Sequence, residues 1–327
     1  MLIGISGTTS SGKTEIARYL TFQGFTHISI MDYIASKSPE TSSNDVYTSS
    51  MEAHQFPTLD ALVDHVTANW RTNFVLRDIT SLHVLHALQK RPFFLHIAVD
   101  APIKLRYQRY KSKHNSKVTL EEFVDAGDTA SFAAGNPLAE INGLADINII
   151  NTSSSIKDLF IKLSELNLFD QSRLRPTWDA YFMRLADLAA LRSNCMKRRV
   201  GCVLVRGNRV IATGYNGTPR HLTNCNEGGC ERCNKGQGSG AGLSTCLCLH
   251  AEENALLESG RDRINEGSVL YCNTCPCLTC AIKIVQSGIT EVVYAQSYSM
   301  DSATERVMGE ARIVLRQYEP PRDGVII

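Results

Sequence analysis

Apolar residues fall into two rhythms along the first half of the chain. Residues 1–5 (Met-Leu-Ile-Gly-Ile) form a short continuous apolar run, the pattern of a fully buried strand, and 13–22 carries Ile16, Ala17 and Leu20 at helical spacing. The strand pattern returns at 73–77, 93–99 and 146–150, and the helical one at 58–70, 80–90, 102–112 and 155–166. Strands alternating with helices predict a parallel sheet covered on both faces. Residues 36–51, rich in Ser and Thr, predict an exposed loop.

A polar stretch ending Arg173-Leu174-Arg175-Pro176-Thr177 reads as a linker, after which the pattern restarts. A helix is expected over 178–193, then strands 199–206 and 209–215 joined by a Gly207-Asn208 turn. A Gly- and Cys-rich insertion at 225–248 precedes helix 251–259, strand 268–273, helix 277–287 and strand 291–295. The expected division is a first domain over 1–165, a linker over 166–177 and a second α/β domain over 178–327. No internal repeat relates the halves.

Length and composition narrow the function classes. A chain of 327 residues with 43% hydrophobic and 20% charged residues is an ordinary globular sequence of about two domains. Lys plus Arg number 34 and Asp plus Glu 33, and neither half is polarised, so no basic field recruits a nucleic acid polymer or a membrane. The opening apolar run is too short for a signal peptide and no 18-residue apolar stretch occurs, so the expectation is a soluble, cytoplasmic protein. All 11 cysteines lie between Cys195 and Cys280. An odd number so clustered, with no secretory signal, points to metal ligation rather than a disulfide framework. Cys202 and Cys272, inside apolar strand-like runs, read instead as small buried hydrophobes.

The sharpest motif is His250-Ala251-Glu252 followed by Pro276-Cys277-Leu278-Thr279-Cys280. It matches the His-x-Glu … Pro-Cys-x-x-Cys pattern of zinc deaminases. His250, Cys277 and Cys280 would supply one imidazole and two thiolates, leaving a fourth position for water. Cys277 and Cys280, three apart at a helix start, project to one side. Glu252 is then free for general acid–base work. A purely structural zinc site would leave Glu252 unused.

With these motifs, residues 178–318 resemble the deoxycytidylate (dCMP) deaminase family, most of all its fungal members. The resemblance is carried by Trp178-Asp179-x-Tyr181-Phe182-Met183, Leu191-Arg192-Ser193-Asn194-Cys195, Gly214-Tyr215-Asn216-Gly217-Thr218-Pro219, His250–Ala255, Tyr271–Cys277 and Val293–Tyr298. It implies a cytidine-deaminase-like αβα sandwich, hydrolysis of dCMP to dUMP and ammonia for thymidylate synthesis, and commonly a homohexamer. It also implies activation by dCTP and inhibition by dTTP. Carried over residue by residue, Asn216 would contact the nucleotide, Tyr298 would lie near the pyrimidine and phosphate, and Arg261 would be linked to effector binding. Read without the resemblance, Asn216-Gly217 is an ordinary turn pair.

Cys230-Glu231-Arg232-Cys233 has zinc-knuckle spacing in a loop with too few apolar residues to fold on burial alone. The resemblance implies a second, structural zinc, since phage and bacterial relatives carry one. By position its ligands would be Cys195, Cys225 and Cys248, with Cys230 or Cys233 as the fourth. Which four of these five ligate stays open.

In the first domain, Gly7-Thr8-Thr9-Ser10-Ser11-Gly12-Lys13-Thr14 fits the P-loop pattern and sits between an expected strand and helix. Gly7 and Gly12 would shape a backbone cradle for phosphates, Lys13 would reach the β/γ-phosphates and Thr14 would bind Mg²⁺ with ATP. The domain resembles small-molecule P-loop kinases such as dephospho-coenzyme A kinase, also through Met31–Ala35, Val99-Asp100-Ala101-Pro102 and Ala145–Asn151. On that resemblance Asp32 and Asp78 are candidate acids, and Arg106 and Arg109 candidate lid arginines. Four functions remain in view: a dCMP deaminase, a zinc deaminase of nucleosides or polynucleotides, a phosphotransferase whose zinc domain is a scaffold, and a bifunctional enzyme. A polynucleotide substrate needs an electrostatic track and stacking platforms, which balanced charge and 7% aromatics do not supply. A scaffold leaves Glu252 without purpose, so the deaminase reading leads.

Overall fold

The computed structural model describes residues 1–31, 54–115, 117–135, 137–236, 242–297, 302–319 and 324–327. The chain divides into two compact units, Met1–Arg175 with Arg322–Ile327, and Pro176–Pro321. The loop expected at 36–51 lies outside the described residues, as do Asp32 and Tyr298.

In the first unit, β1 (Leu2–Gly7), β2 (Thr26–Ile30), β3 (His54–Phe56), β4 (Phe74–Arg77), β5 (Phe94–Asp100) and β6 (Ile147–Ile150) are strands of one parallel sheet. The helices are α1 (Lys13–Phe22), α2 (Leu59–Ala68), α3 (Leu82–Gln89), α4 (Ile103–His114), α5 (Leu120–Phe132), α6 (Leu138–Gly143) and α7 (Ile156–Leu166). Side chains of β1 alternate between two cores: Ile3 and Ile5 pack with α1 and α7, while Leu2 packs with α2 and α3. Strands β2 and β3 and helices α5 and α6 were not expected from the periodicity. The α5 helix starts on a capping box, Thr119 with Glu122, and buries only Phe123 fully, so its apolar face is too narrow to read.

The second unit runs α8 (Trp178–Ala190), β7 (Gly201–Arg206), β8 (Arg209–Tyr215), α9 (Glu231–Asn234), α10 (Ala251–Ser259), β9 (Ser268–Thr274), α11 (Leu278–Ser287), β10 (Glu291–Gln296), α12 (Ser302–Glu310) and β11 (Val314–Gln317). Its five-stranded sheet has the order β11-β10-β9-β7-β8, with β7 antiparallel to both neighbours and the rest parallel. Strand β7 shows why both faces are covered. Val203 and Val205 pack on α8 with Phe182, Met183 and Ala186, while Cys202 and Leu204 pack on α10 and α11 with Ala251, Ala255, Ala281 and Ile284. This is the expected αβα sandwich.

Two glycines set the helix–sheet distance. A Cβ on Gly201 would lie 2.1 Å from the Ala186 carbonyl of α8, and one on Gly214 would lie 2.0 Å from the Ala251 carbonyl of α10. Each helix backbone therefore rests directly on a strand.

The last strand departs from the sequence-based division. β12 (Gly324–Ile326) pairs in parallel with β6, so the sheet of the first unit has seven strands in the order β12-β6-β5-β1-β4-β2-β3. Ile327 is buried in the α1/α7 core, and the Thr152 hydroxyl donates to its carbonyl at 2.8 Å. The chain thus leaves the first unit, forms the second, and returns. Burial of Ile327 and the β6 ladder give these residues partners in the first unit, although they follow the second in sequence.

Across the α8 face, Arg316 of β11 donates to both oxygens of Asp179 at 2.7 and 2.8 Å and to Glu291 at 2.6 Å. The Tyr271 hydroxyl donates to Asp179 at 2.8 Å. The Arg316 hydrogen bonds, then that of Tyr271, hold the Asp179 carboxyl below its ordinary range, against its partial burial.

Two outcomes are expected. In Gly214→Ala the added methyl displaces α10, costing about 1–3 kcal/mol in urea unfolding, the range for overpacking. For Asp179, whose folded pKa is depressed, the stabilisation is complete above the unfolded value of about 3.9 and is lost as pH falls through the folded value. Asp179→Asn should therefore flatten the acid limb of the stability profile and cost about 1–2 kcal/mol at pH 7, the exposure of Arg316 being discounted.

Candidate metal and catalytic site

Two helix starts meet on one face of the second sheet. His250 is the residue before α10 and Cys277 the residue before α11. The His250 N–H donates to the Glu253 carboxylate at 3.0 Å, a capping contact that fixes where α10 begins. Glu253 in turn pairs with Lys283 of α11, tying the two helices together. The His250 Nδ1 lies 3.4 Å from Cys277 Sγ and 3.3 Å from Cys280 Sγ. These three ligand atoms all lie within 4.8 Å of one another, the convergence a single ion requires.

The surroundings favour thiolate at this point. The hydrogen bond from Cys280, followed by those from His250 and Thr279, brings Cys277 down to about 3 despite burial. Cys280 moves upward, first because it holds the shared proton and then because it is buried. The hydrogen bond to Cys277 raises His250. Two sulfurs that share a proton, with the Cys277 thiol pushed down, and an imidazole between them form a donor set that fits a divalent, thiophilic ion.

Glu252 sits on the first turn of α10 and is 4% exposed. Burial is the main cause that pushes its carboxyl upward. Cys202 and Cys272, fully buried on the adjoining strands, also move well upward by burial, and Cys202 donates to the Ala251 carbonyl at 3.1 Å. They are packed thiols, not ligands. A buried carboxyl whose neutral form is accessible beside a three-ligand set has the properties of a proton carrier.

Asn216 ties the turn after β8 to the segment 193–200. Its Oδ1 accepts from the Ser193 hydroxyl at 2.7 Å and the Val200 N–H at 2.8 Å, and its Nδ2 donates to the Arg198 carbonyl at 2.8 Å. Both acceptor positions of Oδ1 are thereby filled. The bridge between Gly217 and Leu249 brings this turn beside the residue preceding His250. Arg261 lies exposed in a 3₁₀ turn just after α10.

The cysteine-rich insertion forms its own cluster. Cys195, Cys225, Cys233 and Cys248 make one group with convergent sulfurs, and Cys230, Cys233, Cys246 and Cys248 make another. The hydrogen bond from Cys248 leads the causes that bring Cys195 down to about 5. Cys246, which falls in the second group, was not among the five cysteines named from sequence; the signal available was its Cys-x-Cys spacing to Cys248.

The P-loop joins β1 to α1, with left-handed backbone at Gly7, Ser10 and Gly12. A Cβ on Gly12 would strike the Asn151 amide at 2.4 Å, so the loop needs glycine there for space as well as conformation. The Lys13 ammonium donates to the carbonyls of Gly7 and Thr8, both at 2.9 Å, and is 3.8 Å from Asp78. Arg77 donates to the Thr14 hydroxyl at 3.2 Å. Arg109 reaches the loop at the Ser11 carbonyl, 3.2 Å, while Arg106 is held by the Ala101 carbonyl and Asp100.

Comparison with known proteins gives the same two-part picture. The cytidine and deoxycytidylate deaminase zinc-binding region matches residues 176–296, and an AAA domain matches residues 3–129. The chain is 50% identical to the deoxycytidylate deaminase of Schizosaccharomyces pombe, covering 99% of each sequence. It is 44% identical to that of Saccharomyces cerevisiae, over 98% of this chain and 99% of the relative. Among solved structures, the dCMP deaminase of cyanophage S-TIM5 in complex with dCMP and dUMP is 28% identical, covers 44% of this chain and 98% of its own, and has a TM-score of 0.36. Similar along its whole length to two such proteins, the chain belongs to the deoxycytidylate deaminase family.

Proposed function

We propose that this chain hydrolyses dCMP to dUMP and ammonia, with His250, Cys277 and Cys280 as zinc ligands and Glu252 as the proton carrier. The observation that carries the reading is a buried carboxyl on the same helix turn as a convergent imidazole and two sulfurs, in a full-length relative of deoxycytidylate deaminases. A zinc ion held by His250, Cys277 and Cys280 would supply Lewis-acid chemistry that lowers the pKa of the attacking water toward neutrality. Glu252 does the proton work. Its carboxylate takes a proton from the water that adds to C4 of the pyrimidine and hands it to the ring nitrogen N3. The second proton goes to the departing amine, so that water and dCMP leave as dUMP and ammonia. Burial suits Glu252 to both roles, because it brings the carboxyl closer to the pKa range where it can give as well as accept. Asn216 offers its remaining amide hydrogen to the nucleotide, and Tyr298 a pyrimidine-side contact.

The cysteine cluster is proposed to hold structural zinc in addition. Oligomeric assembly, a hexamer by the family resemblance, is supported by α8 and its C-cap Leu191, which with Trp178, Tyr181 and Leu188 exposes apolar side chains at helical spacing. Control by dCTP and dTTP, with Arg261 as an effector contact, rests on the same resemblance.

A second reading concerns the first unit. Its P-loop backbone and Lys13 support binding of a nucleoside triphosphate, with Mg²⁺, as substrate or as regulator.

Ammonia release from dCMP, dCTP, deoxycytidine and CMP tests the main reading. Preferred turnover of dCMP is expected, falling about 10²–10⁴-fold in Glu252→Gln with zinc content unchanged. A variant that loses its zinc, or a wild type that spares every free nucleotide, removes Glu252 or dCMP from the proposal. For the P-loop, Lys13→Ala should weaken binding of ATP·Mg²⁺, dCTP or dTTP about tenfold or more in calorimetric titration. Equal affinity for all three in both proteins sinks that role.

A further inference from the structure

We infer that the cysteine cluster is a binuclear zinc site, two ions sharing the Cys233 and Cys248 thiolates, with Cys195 and Cys225 completing one and Cys230 and Cys246 the other. The inference deepens the proposal that this cluster holds zinc and rests on it.

The two convergent groups are not alternatives for one ion in any geometric sense. They have Cys233 and Cys248 in common and differ in a pair at each end. That is the connectivity of two tetrahedra joined along an edge. A zinc–sulfur bond of about 2.3 Å in a tetrahedral site places its sulfurs about 3.8 Å apart. The Sγ–Sγ separations agree at each kind of edge. Cys195 to Cys233, terminal to shared, is 3.8 Å, and Cys233 to Cys248, the shared edge, is 3.9 Å. Cys233 to Cys246 and Cys230 to Cys246, on the other side, are 3.8 and 3.9 Å.

A single ion uses four sulfurs and leaves two thiols packed against it, either Cys195 with Cys225 or Cys230 with Cys246. Cys225 and Cys230, one from each of these pairs, are both fully buried. Nothing in the geometry ranks one foursome above the other. With two ions all six thiols give up their protons, and the charge, six thiolates against two dications, is the same −2 that one ion with four thiolates carries.

The protein supplies compensation at both ends. The Met196 N–H donates to Cys225 Sγ at 3.4 Å and Asn234 Nδ2 to the same sulfur at 3.8 Å. The Arg232 guanidinium, 8% exposed, donates to Cys246 Sγ at 3.6 Å. A cation buried beside a sulfur that the one-ion site of Cys195, Cys225, Cys233 and Cys248 does not use is placed where a second thiolate-bound ion needs it.

The test counts ions in the full chain by elemental analysis, and reads the ligands by ¹¹³Cd NMR of the cadmium-substituted protein. Three ions per chain are expected, two in His250→Ala, which removes only the catalytic ion. Two mutually coupled cadmium resonances in the all-sulfur range should appear, and Cys246→Ser should lose one of them. A count of two in the wild type and one in His250→Ala, with a single all-sulfur resonance, overturns the shared pair while leaving one structural zinc. Counts of one and none overturn zinc in the cluster altogether. The cadmium spectrum of the wild type decides the matter without any variant, should Cys246→Ser fail to fold.

Discussion

The contact of α10 with β8 at Gly214 is the constraint on which the catalytic geometry depends. Because a helix backbone rests directly on a strand there, the start of α10 has one position, and His250 and Glu252 take theirs from it. The small residues Ala251, Ala255 and Ala281 let α10 and α11 lie close on the same sheet face. Two helix N-termini then point toward one spot, and their partial positive charge favours the thiolate of Cys277. The Glu253–Lys283 pair, partly exposed, contributes little energy; its use is to lock the relative advance of the two helices.

The same economy explains the cysteine insertion. Among the described residues of 225–248, the buried side chains are Arg232 and the four thiols of Cys225, Cys230, Cys233 and Cys248, which make no ordinary apolar core. Convergent sulfurs take the place of a core, and a structural zinc held by them would supply on the order of 10 kcal/mol. It also fastens the segment after α8, through Cys195, to the segment that leads into His250, through Cys248. A metal bound in the insertion would therefore be linked to the placement of the His250 imidazole through two peptide units.

The parts of this site that were legible in the sequence are those whose chemistry is local. His-x-Glu and Cys-x-x-Cys are local patterns, and the three-residue spacing of Cys277 and Cys280 at a helix start predicts that they face one side. The alternation of strands and helices followed from their rhythm for the same reason, while the αβα sandwich came from the family resemblance. Where tertiary context decides, the sequence was silent. The Thr-His-Ile-Ser-Ile run of β2 mixes polar residues into a buried strand, and α5 shows only one fully buried side chain. Cys246 gained its partners Cys230, Arg232 and Cys233 only when the insertion folded back on itself. Asn216 looked like a turn residue or a substrate ligand, and its folded role as a clasp for Ser193 and Val200 could not be read from neighbours in sequence.

The return of the chain into the first sheet has a consequence for synthesis. β6 and β12 are neighbours in space, yet more than 170 residues separate them in the chain. At about 5–20 residues per second, a ribosome takes on the order of 10–35 s to deliver the second after the first. Through that interval the flank of β6 is an open strand edge, and the place that Ile327 fills between α1 and α7 stands vacant. The first unit begins to form first and is finished last, so the nascent enzyme passes through a stage in which the deaminase fold can be complete while the P-loop sheet is not.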